Sequence, residues 1–446
     1  MHQSSAHLLS STFYSRISSL LRCNEGLTLV IQNSLCHQKL HYCTGLGATS
    51  SSILKQSENS LHPRSNIYNT TRRMAFMKTP CNIGDPVSEV ETPSLLVCLK
   101  SLEYNLKKMT ETMKAFPGVN FRTHAKTHKC PMISRLQIKS GAVGVCCQTL
   151  TEAEAMVEGG IEDILLSNQV IGIKKLRRLA GLARYAKIAA CVDSEGNIED
   201  LSQAARELGV TVDVLVEVNV GGNRCGVEPG DSVLKLAEKI KSLPNINFKG
   251  LQCYNGKIQH IRSAADRKAA VGVVIEKTVK SIKALKDRGI DCSYITGGGT
   301  GTFQYEASSG VFTEVQPGSY VFMDVDYGKN LDVKEQFVSD FQQSLYVLST
   351  VQSVAAGDRA ILDAGLKAHS LDSGVPKLSG HPDLTYYNGG DEHGVVIPDG
   401  GLKVGDLVWL IPGHCDPTVN MHEWVVGLRD GKVECIWPVS GRGPGK

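Results

Sequence analysis

The stretch Val212-Asp-Val-Leu-Val-Glu-Val218 decides the predicted fold of this chain. It is an almost continuous apolar run, and such runs are typical of strands in a parallel sheet that helices cover on both faces. Similar runs recur on either side of it. The predicted strands are 120–126, 142–147, 163–168, 187–193, 212–219, 248–254, 291–297 and 318–324.

Amphipathic segments lie between several of these strands, for example 150–158, 201–208 and 264–287. A strand–helix rhythm with eight strands predicts a closed (β/α)8 barrel, and a doubly wound open sheet is the main alternative. After residue 330 short apolar runs alternate with Gly, Pro and Asp, which indicates a β domain. The predicted domains are therefore a barrel over 94–330 and a C-terminal β domain over 335–446, with 85–99 contributing a further strand.

The first 84 residues differ from the rest of the chain. They are rich in serine, carry eight Lys or Arg against two acids and show no sustained periodicity. This composition predicts a disordered tail that acts as a transit peptide to a mitochondrion or chloroplast, with a cytoplasmic protein as the alternative. The remaining chain holds 40 basic and 43 acidic residues, so its balance is slightly acidic. That balance argues against nucleic acid as the main partner.

Two further classes are disfavoured by composition. No apolar run approaches the length of about 18 residues that a membrane-spanning helix needs. The 14 cysteines are scattered without a CxxC pair, and most of those after residue 84 fall in strand-like runs. This placement predicts reduced, buried thiols rather than a disulfide framework or a cysteine-based zinc site.

The segment His124-Ala-Lys-Thr-His-Lys129 ends the first predicted strand. On an extended strand His124, Lys126 and His128 would share one face. Burial and nearby positive charge both lower the pKa of a lysine, which predicts that Lys126 is a nucleophilic amine suited to Schiff-base chemistry. A surface strand with a basic edge is the alternative for this segment alone.

Polar residues follow the other predicted strands as well, and in such barrels the catalytic groups gather at the C-terminal strand ends. They are Asn168, Asp193, Asn219, Arg224, Tyr254, His260, the run Thr296-Gly-Gly-Gly-Thr300 and Asp324. The glycine run follows the seventh strand, where barrels often bind phosphate, and its glycines would let backbone N–H groups approach an anion. A nucleophilic lysine and a phosphate cradle at one mouth together predict pyridoxal 5′-phosphate as the cofactor.

The β domain contains Pro412-Gly-His-Cys-Asp416, in which a histidine and an aspartate lie two residues apart. On an extended segment both would project from one face and could bind a divalent ion. Cys415 would then point the other way. The pair His414 and Asp416 is the predicted metal site.

These segments together resemble the fold-type III, alanine-racemase-like pyridoxal-phosphate enzymes, and within them the group of D-threonine aldolase and eukaryotic D-serine dehydratase. The resemblance covers about residues 90–446. It rests on Arg122-Thr-His-Ala-Lys-Thr-His-Lys-Cys-Pro131, Glu217-Val-Asn-Val-Gly-Gly-Asn-Arg-Cys-Gly226, Gly250-Leu-Gln-Cys-Tyr-Asn-Gly-Lys-Ile-Gln-His260, Thr296-Gly-Gly-Gly-Thr-Gly-Thr302, Asp363-Ala-Gly-Leu-Lys367, Asp391-Glu-His-Gly394 and Pro412-Gly-His-Cys-Asp416. Thr123 stands where the family usually has proline.

The resemblance implies Lys126 as the Schiff-base lysine and His260 near the substrate hydroxyl. It implies Arg224, Tyr254 and the run Thr296, Gly297, Gly298, Gly299, Thr300 as cofactor-binding residues. His414 and Asp416 are implied as metal ligands, and a homodimer as the assembly. The family's dehydratases resemble H-x-C at the metal and its aldolases H-x-D, so Asp416 favours the aldolase. A carboxylate ligand favours Mn²⁺ or Mg²⁺, with Zn²⁺ possible.

The expected activity is therefore cleavage of D-3-hydroxy amino acids to glycine and an aldehyde. The first alternative is D-serine dehydratase, which would form pyruvate and ammonia. Two others are a non-catalytic pyridoxal-phosphate-binding protein and a cofactor-free metallohydrolase that uses His124, His128, His260 and Asp324. The small substrate is expected to be bound without any membrane or nucleic-acid partner.

Overall fold

The computed structural model describes residues 78–445 of the 446-residue chain. The predicted transit peptide, residues 1–84, lies almost entirely outside these residues, and its disorder and targeting role stay predictions. None of the helices within 78–445 combines the length and the apolar character needed to cross a membrane. The described cysteines form no disulfide.

A parallel sheet of nine short strands forms the first part of the fold. The chain first forms β1 (Ser94–Cys98), which belongs to the second sheet. The barrel strands are β2 (Asn120–Phe121), β3 (Thr123–His124), β4 (Val145–Cys147), β5 (Asp163–Leu166), β6 (Lys187–Val192), β7 (Val212–Glu217), β8 (Ile246–Cys253), β9 (Ile295–Gly297) and β10 (Glu314–Val315).

The barrel is closed by the stretch that contains β2 and β3. The strand order places these two segments at opposite ends of the sheet, yet only Arg122 separates them in the chain. Asn120 and Phe121 pair with β10, whereas Thr123 and His124 pair with β4. One bent strand therefore bridges both edges, and the prediction of a (β/α)8 barrel is confirmed.

Helices cover the outside of the barrel, and those of 150–158 and 264–287 have the predicted bounds. The helices are Leu99–Met113, Pro131–Lys139, Leu150–Glu158, Ile173–Leu182, Glu195–Glu207, Asp231–Ser242, Ala264–Asp287, Phe303–Ala307 and Cys415–Met421. The apolar faces of the five helices from Leu150–Glu158 to Ala264–Asp287 pack with the outward side chains of the strands into one buried core. The buried residues of the other four helices belong to a second core, which they share with the β domain. Thr149 caps one of them, since its hydroxyl accepts a hydrogen bond from the backbone N–H of Glu152.

The last predicted strand, 318–324, is wrong. Residues Ser319–Val321 form a 3₁₀ turn, and the eighth barrel strand is the shorter β10. Pro317 lacks a backbone donor and Gly318 follows it, so the ladder ends before this segment. Asp324 therefore lies in a loop that faces the β domain rather than at a strand end.

The second sheet is mixed and belongs to the β domain. Its remaining strands are β11 (Leu345–Ser353), β12 (Ala360–Leu362), β13 (Lys377–Leu378), β14 (Thr385–Asn388), β15 (Gly394–Ile397), β16 (Leu407–Ile411), β17 (Trp424–Arg429) and β18 (Lys432–Pro438). β1 lies between β11, to which it is antiparallel, and β17, to which it is parallel. The chain before the barrel is thus built into the domain after it.

Candidate active site

Lys126 lies in a tight turn at the mouth of the barrel. The extended strand ends at His124, and Ala125–Thr127 form one 3₁₀ turn. The His124 ring accepts a hydrogen bond from the backbone N–H of Lys126, at 3.4 Å, and Lys129 closes the turn at φ 49°. The predicted extended strand over 120–126 is therefore wrong at its end, and with it the argument that three alternate side chains share one face.

Asp416 faces Lys126 across the boundary between the two domains. The Lys126 ammonium and the Asp416 carboxylate form a salt bridge. Burial lowers the pKa of Lys126, but the adjacent Asp416 carboxylate raises it more, and the net pKa lies above its usual value. The expectation of a lowered pKa is wrong, because sequence alone did not place this carboxylate beside the amine.

The two histidines that flank Lys126 are neutral and have different neighbours. Burial lowers the pKa of His124 to about 3 and that of His128 to about 4. The His124 ring lies 3.2 Å from the Ser167 hydroxyl. His128 is fully buried and bonds to Gln137, so it supports the turn from behind.

A cavity of about 120 Å³ opens beside Lys126. It brings together three of the predicted residues, Lys126, Arg224 and Tyr254. The Arg224 guanidinium lies 5.8 Å from the centroid of the Tyr254 ring. The other lining residues are His124, Gln148, Ser167, Gln252, Gly256 and Gln316.

The glycine run follows β9, whose neighbours β8 and β10 lead to the cavity residues Gln252, Tyr254 and Gln316. Gly298 adopts φ 71°, and a Cβ built on Gly299 would lie 2.6 Å from the Gln259 side chain. Within 78–445 the backbone N–H groups of Gly299 and Thr300 donate to no protein acceptor, whereas Gly298 continues the pairing of β9 with β8. Two free donors in one tight loop form a cradle that fits an anion such as a phosphate group.

The H-x-D segment begins a helix. His414 is extended and caps Cys415–Met421, and Asp416 lies in the first helical turn. The prediction that both side chains project from one extended strand is wrong. Pro417 indicates the helix start, because proline is tolerated in the first turn.

The His414 and Asp416 side chains nevertheless both lie at the domain boundary. The His414 Nδ1 atom lies 2.7 Å from the Asp372 carboxylate, and no partner within the described residues contacts Nε2. A carboxylate that orients one ring nitrogen and leaves the other available is the usual arrangement around a metal-binding histidine. No group of three His, Cys, Asp or Glu side chains suited to a metal occurs within 78–445.

His260 is not part of the cavity wall. It ends the 3₁₀ turn Lys257–His260 and packs against the Tyr327 ring, with 4.8 Å between the ring centroids. Its Nδ1 atom lies 2.5 Å from Asp326 without hydrogen-bond geometry. Burial lowers its pKa, and His414 is among the charges that lower it further. His260 therefore lies on the His414 side of the mouth, and its neutral imidazole can accept a proton.

A buried ion pair lies inside the barrel below the cavity. Arg122 Nε lies 3.1 Å from both Glu314 carboxylate oxygens, and the Arg122 Nη1 atom is 2.7 Å from Asp163. Glu314 also accepts hydrogen bonds from Tyr294 and Thr296. Gln316 donates to Thr296 and exchanges hydrogen bonds with Gln252. The network therefore connects the ion pair to the cavity floor.

An Arg122→Met variant is expected to lose about 3–5 kcal/mol of unfolding free energy, because it leaves the buried Glu314 carboxylate without a cation. Urea unfolding measures this loss. Arg177→Met is the control, since Arg177 forms an exposed ion pair with Glu207. Equal unfolding midpoints for the two variants would contradict the assignment.

Several residues at the site were not predicted. Gln252 and Gln316 form the cavity floor, and Asp372 orients His414. Gln252 could have been recognised from the sequence, because it is a polar residue between the apolar residues Leu251 and Cys253 of a predicted strand. Asp372 lies in an irregular loop, where no periodicity distinguishes a functional carboxylate from a solvated one.

Two family models match the chain. The first, described as alanine racemase, N-terminal domain, covers residues 97–326. The second, described as a putative serine dehydratase domain, covers residues 344–428. Together they span the barrel and most of the β domain.

Three relatives have closely similar sequences. A 3-hydroxy-D-aspartate aldolase of Paracoccus denitrificans (strain Pd 1222) is 44% identical over 82% of this chain and 96% of its own length. A D-threonine aldolase of an Arthrobacter species is 46% identical over the same shares of the two chains. The crystal structure of D-threonine aldolase from Filomicrobium marinum is 42% identical, covers 82% of this chain and 99% of that one, and superposes with a TM-score of 0.79.

Proposed function

The chain belongs to the alanine-racemase-like family, in the group of D-threonine and 3-hydroxy-D-aspartate aldolases, and from this we propose how its site works. It is an aldolase that cleaves D-3-hydroxy amino acids between Cα and Cβ and releases glycine and an aldehyde. The observation that carries the proposal is the cavity that holds Lys126, Arg224 and Tyr254 at the barrel mouth, where the loop of free backbone donors also follows its strand.

The residues present fit pyridoxal 5′-phosphate, the cofactor that the family implies. Lys126 would supply the amine that holds its aldehyde, and the free N–H groups of Gly299 and Thr300 would suit its phosphate. When bound, the cofactor acts as an electron sink for the carbanion at Cα. Arg224 and Tyr254 share the cavity with Lys126 and would contact the bound cofactor, and the buried floor of Gln252 and Gln316 closes the cavity from below.

His414 and Asp416 fit a divalent ion, for which we propose Mn²⁺ or Mg²⁺, with Zn²⁺ as the alternative. Their donor set is one imidazole and one carboxylate, and a carboxylate suits a hard ion. Two protein ligands leave positions for water and for the 3-hydroxyl of a substrate, whose pKa a bound ion would lower. Asp372 would then keep the His414 ring in the orientation that the ion requires.

His260 is proposed to accept the proton of the substrate 3-hydroxyl. Its imidazole is neutral at physiological pH, because burial lowers its pKa. Tyr327 and Asp326 fix the ring from two sides. A homodimer is the proposed assembly.

The test is to supply D-threonine and D-serine separately to the purified enzyme and to identify the products. D-threonine is expected to give glycine and acetaldehyde, and L-threonine, the control for configuration, is expected to give neither. Pyruvate and ammonia from D-serine, with no glycine from D-threonine, would show a dehydratase instead.

A further inference from the structure

A buried carboxylate lies directly behind the glycine run. Glu306, in the helix Phe303–Ala307, is 1% exposed. A Cβ built on Gly298 would lie 3.1 Å from the Glu306 carboxyl carbon and 3.3 Å from its Oε2 atom. The carboxyl group is therefore packed against the backbone of the loop that offers its N–H groups to an anion.

Within residues 78–445 no cation forms an ion pair with this carboxylate. The Thr302 hydroxyl donates to Glu306 Oε1 at 2.8 Å, whereas Oε2 has no hydrogen-bond partner within the described residues. The helix packs against Ala264–Asp287 and β10. On the helix Ala264–Asp287, Arg267 donates to the carbonyls of Ile261, Arg262 and Leu331 rather than to Glu306. On β10, the Glu314 carboxylate forms an ion pair with Arg122.

The remaining titratable neighbours are tyrosines. Tyr254 lines the cavity, and its pKa is raised by burial and, to a smaller extent, by the Glu306 carboxylate. Tyr305 hydrogen bonds to the Ala264 carbonyl. A buried carboxyl group among such neighbours is costly to ionise, and a protonated one can lie close to a second anion without repulsion.

We propose that Glu306 is a positioning residue that links proton uptake to phosphate binding at the Gly298–Thr300 loop. Protonated Glu306 permits the phosphate group, and ionised Glu306 repels it through the loop. Binding therefore converts the carboxylate to the carboxylic acid with one proton taken from solvent. This inference rests on the proposed cofactor site.

The sign of the pH dependence follows from the burial of Glu306. Burial raises its pKa to about 7, and the Thr302 hydroxyl and its own backbone N–H lower it only in part. Below that pH the carboxyl group is already neutral and the affinity is at its maximum. Above it each binding event must take up a proton, so affinity falls as pH rises.

The experiment titrates the full-length apoenzyme with pyridoxal 5′-phosphate between pH 6 and 8.5, measured by calorimetry in two buffers of different ionisation enthalpy. As the pH rises above 7, the affinity of the wild type for pyridoxal 5′-phosphate is expected to fall by about three- to tenfold more than that of Glu306→Gln. The wild type is also expected to take up more protons on binding. The phosphate and Lys126 titrate in both proteins, so their contributions cancel. Glu158→Gln, which removes an exposed helix carboxylate, is the charge control and is expected to behave like the wild type.

Two further measurements separate linkage from structural damage. Thr302→Val removes a donor that favours the ionised form, so the midpoint of the affinity loss is expected to move to higher pH. Pyridoxal, which lacks the phosphate, is expected to bind wild type and Glu306→Gln alike. Identical pH profiles and proton counts for wild type and Glu306→Gln would overturn the proposal. Inorganic phosphate is a second probe, and it tests the role of Glu306 even if the cofactor aldehyde does not become attached to Lys126. Failure of that attachment would refute only the proposed function.

Discussion

A Lys126→Ala variant is expected to lose the covalently attached cofactor and to lower kcat/KM by about 10³-fold or more, because the amine at the cavity wall is removed. The visible absorbance of the attached cofactor should disappear. Mass spectrometry after borohydride reduction should locate the modification on Lys126 in the wild type and find none in the variant.

Lys129→Ala is the matched control. Lys129 is the next lysine in the segment, but its ammonium is turned away toward Asn420 and Glu152. This variant should keep the covalently attached cofactor. A borohydride-stable adduct on Lys129 in the Lys126→Ala protein would show that the Schiff-base lysine was wrongly assigned.

An Asp416→Ala variant is expected to lose bound divalent metal and to lower kcat by at least about 100-fold, because one of two protein ligands is removed. The visible absorbance should persist, since Lys126 is intact. Metal content by mass spectrometry and product analysis measure the two effects. Chelation of the wild type should reproduce the loss of turnover, and added Mn²⁺ should restore it.

Cys415→Ala tests the alternative ligand. The Cys415 thiol is fully buried, and burial raises its pKa well above the usual value, so it is a poor ligand where it lies. The variant is expected to keep its metal. If Cys415→Ala lost the metal and Asp416→Ala kept it, Cys415 rather than Asp416 would be the ligand. The argument that H-x-D favours an aldolase would then fail.

Much of the barrel could be predicted because its strands and helices have strong periodicity. The helix 264–287 and the strand over 212–217 follow directly from apolar spacing. The eighth strand could not be found this way, since β10 has two residues and the longer apolar run after it follows Pro317 and Gly318. A strand this short is fixed by its neighbours β2 and β9 rather than by its own composition.

The site was predictable as a set of residues but not as a set of contacts. Lys126, Arg224 and Tyr254 follow predicted strands, and barrel topology alone brings them to one mouth. The contact of Lys126 with Asp416 joins the two domains through residues that are 290 positions apart in the chain. No local pattern reports such a pairing, which is why the predicted direction of the pKa of Lys126 was wrong.

The bent strand that closes the barrel also has a consequence for the order of folding. Its pairing with β4 is local, but its pairing with β10 joins Asn120 to Glu314, about 190 residues away. Closing so long a loop is entropically costly, so this pairing forms after the local one. The turn that carries Lys126 is therefore anchored on both sides only when the barrel is closed. Partly folded chains therefore lack the cavity. A ligand that binds only the closed barrel favours the native state by mass action. Cofactor supplied during refolding should accordingly increase the yield of native enzyme.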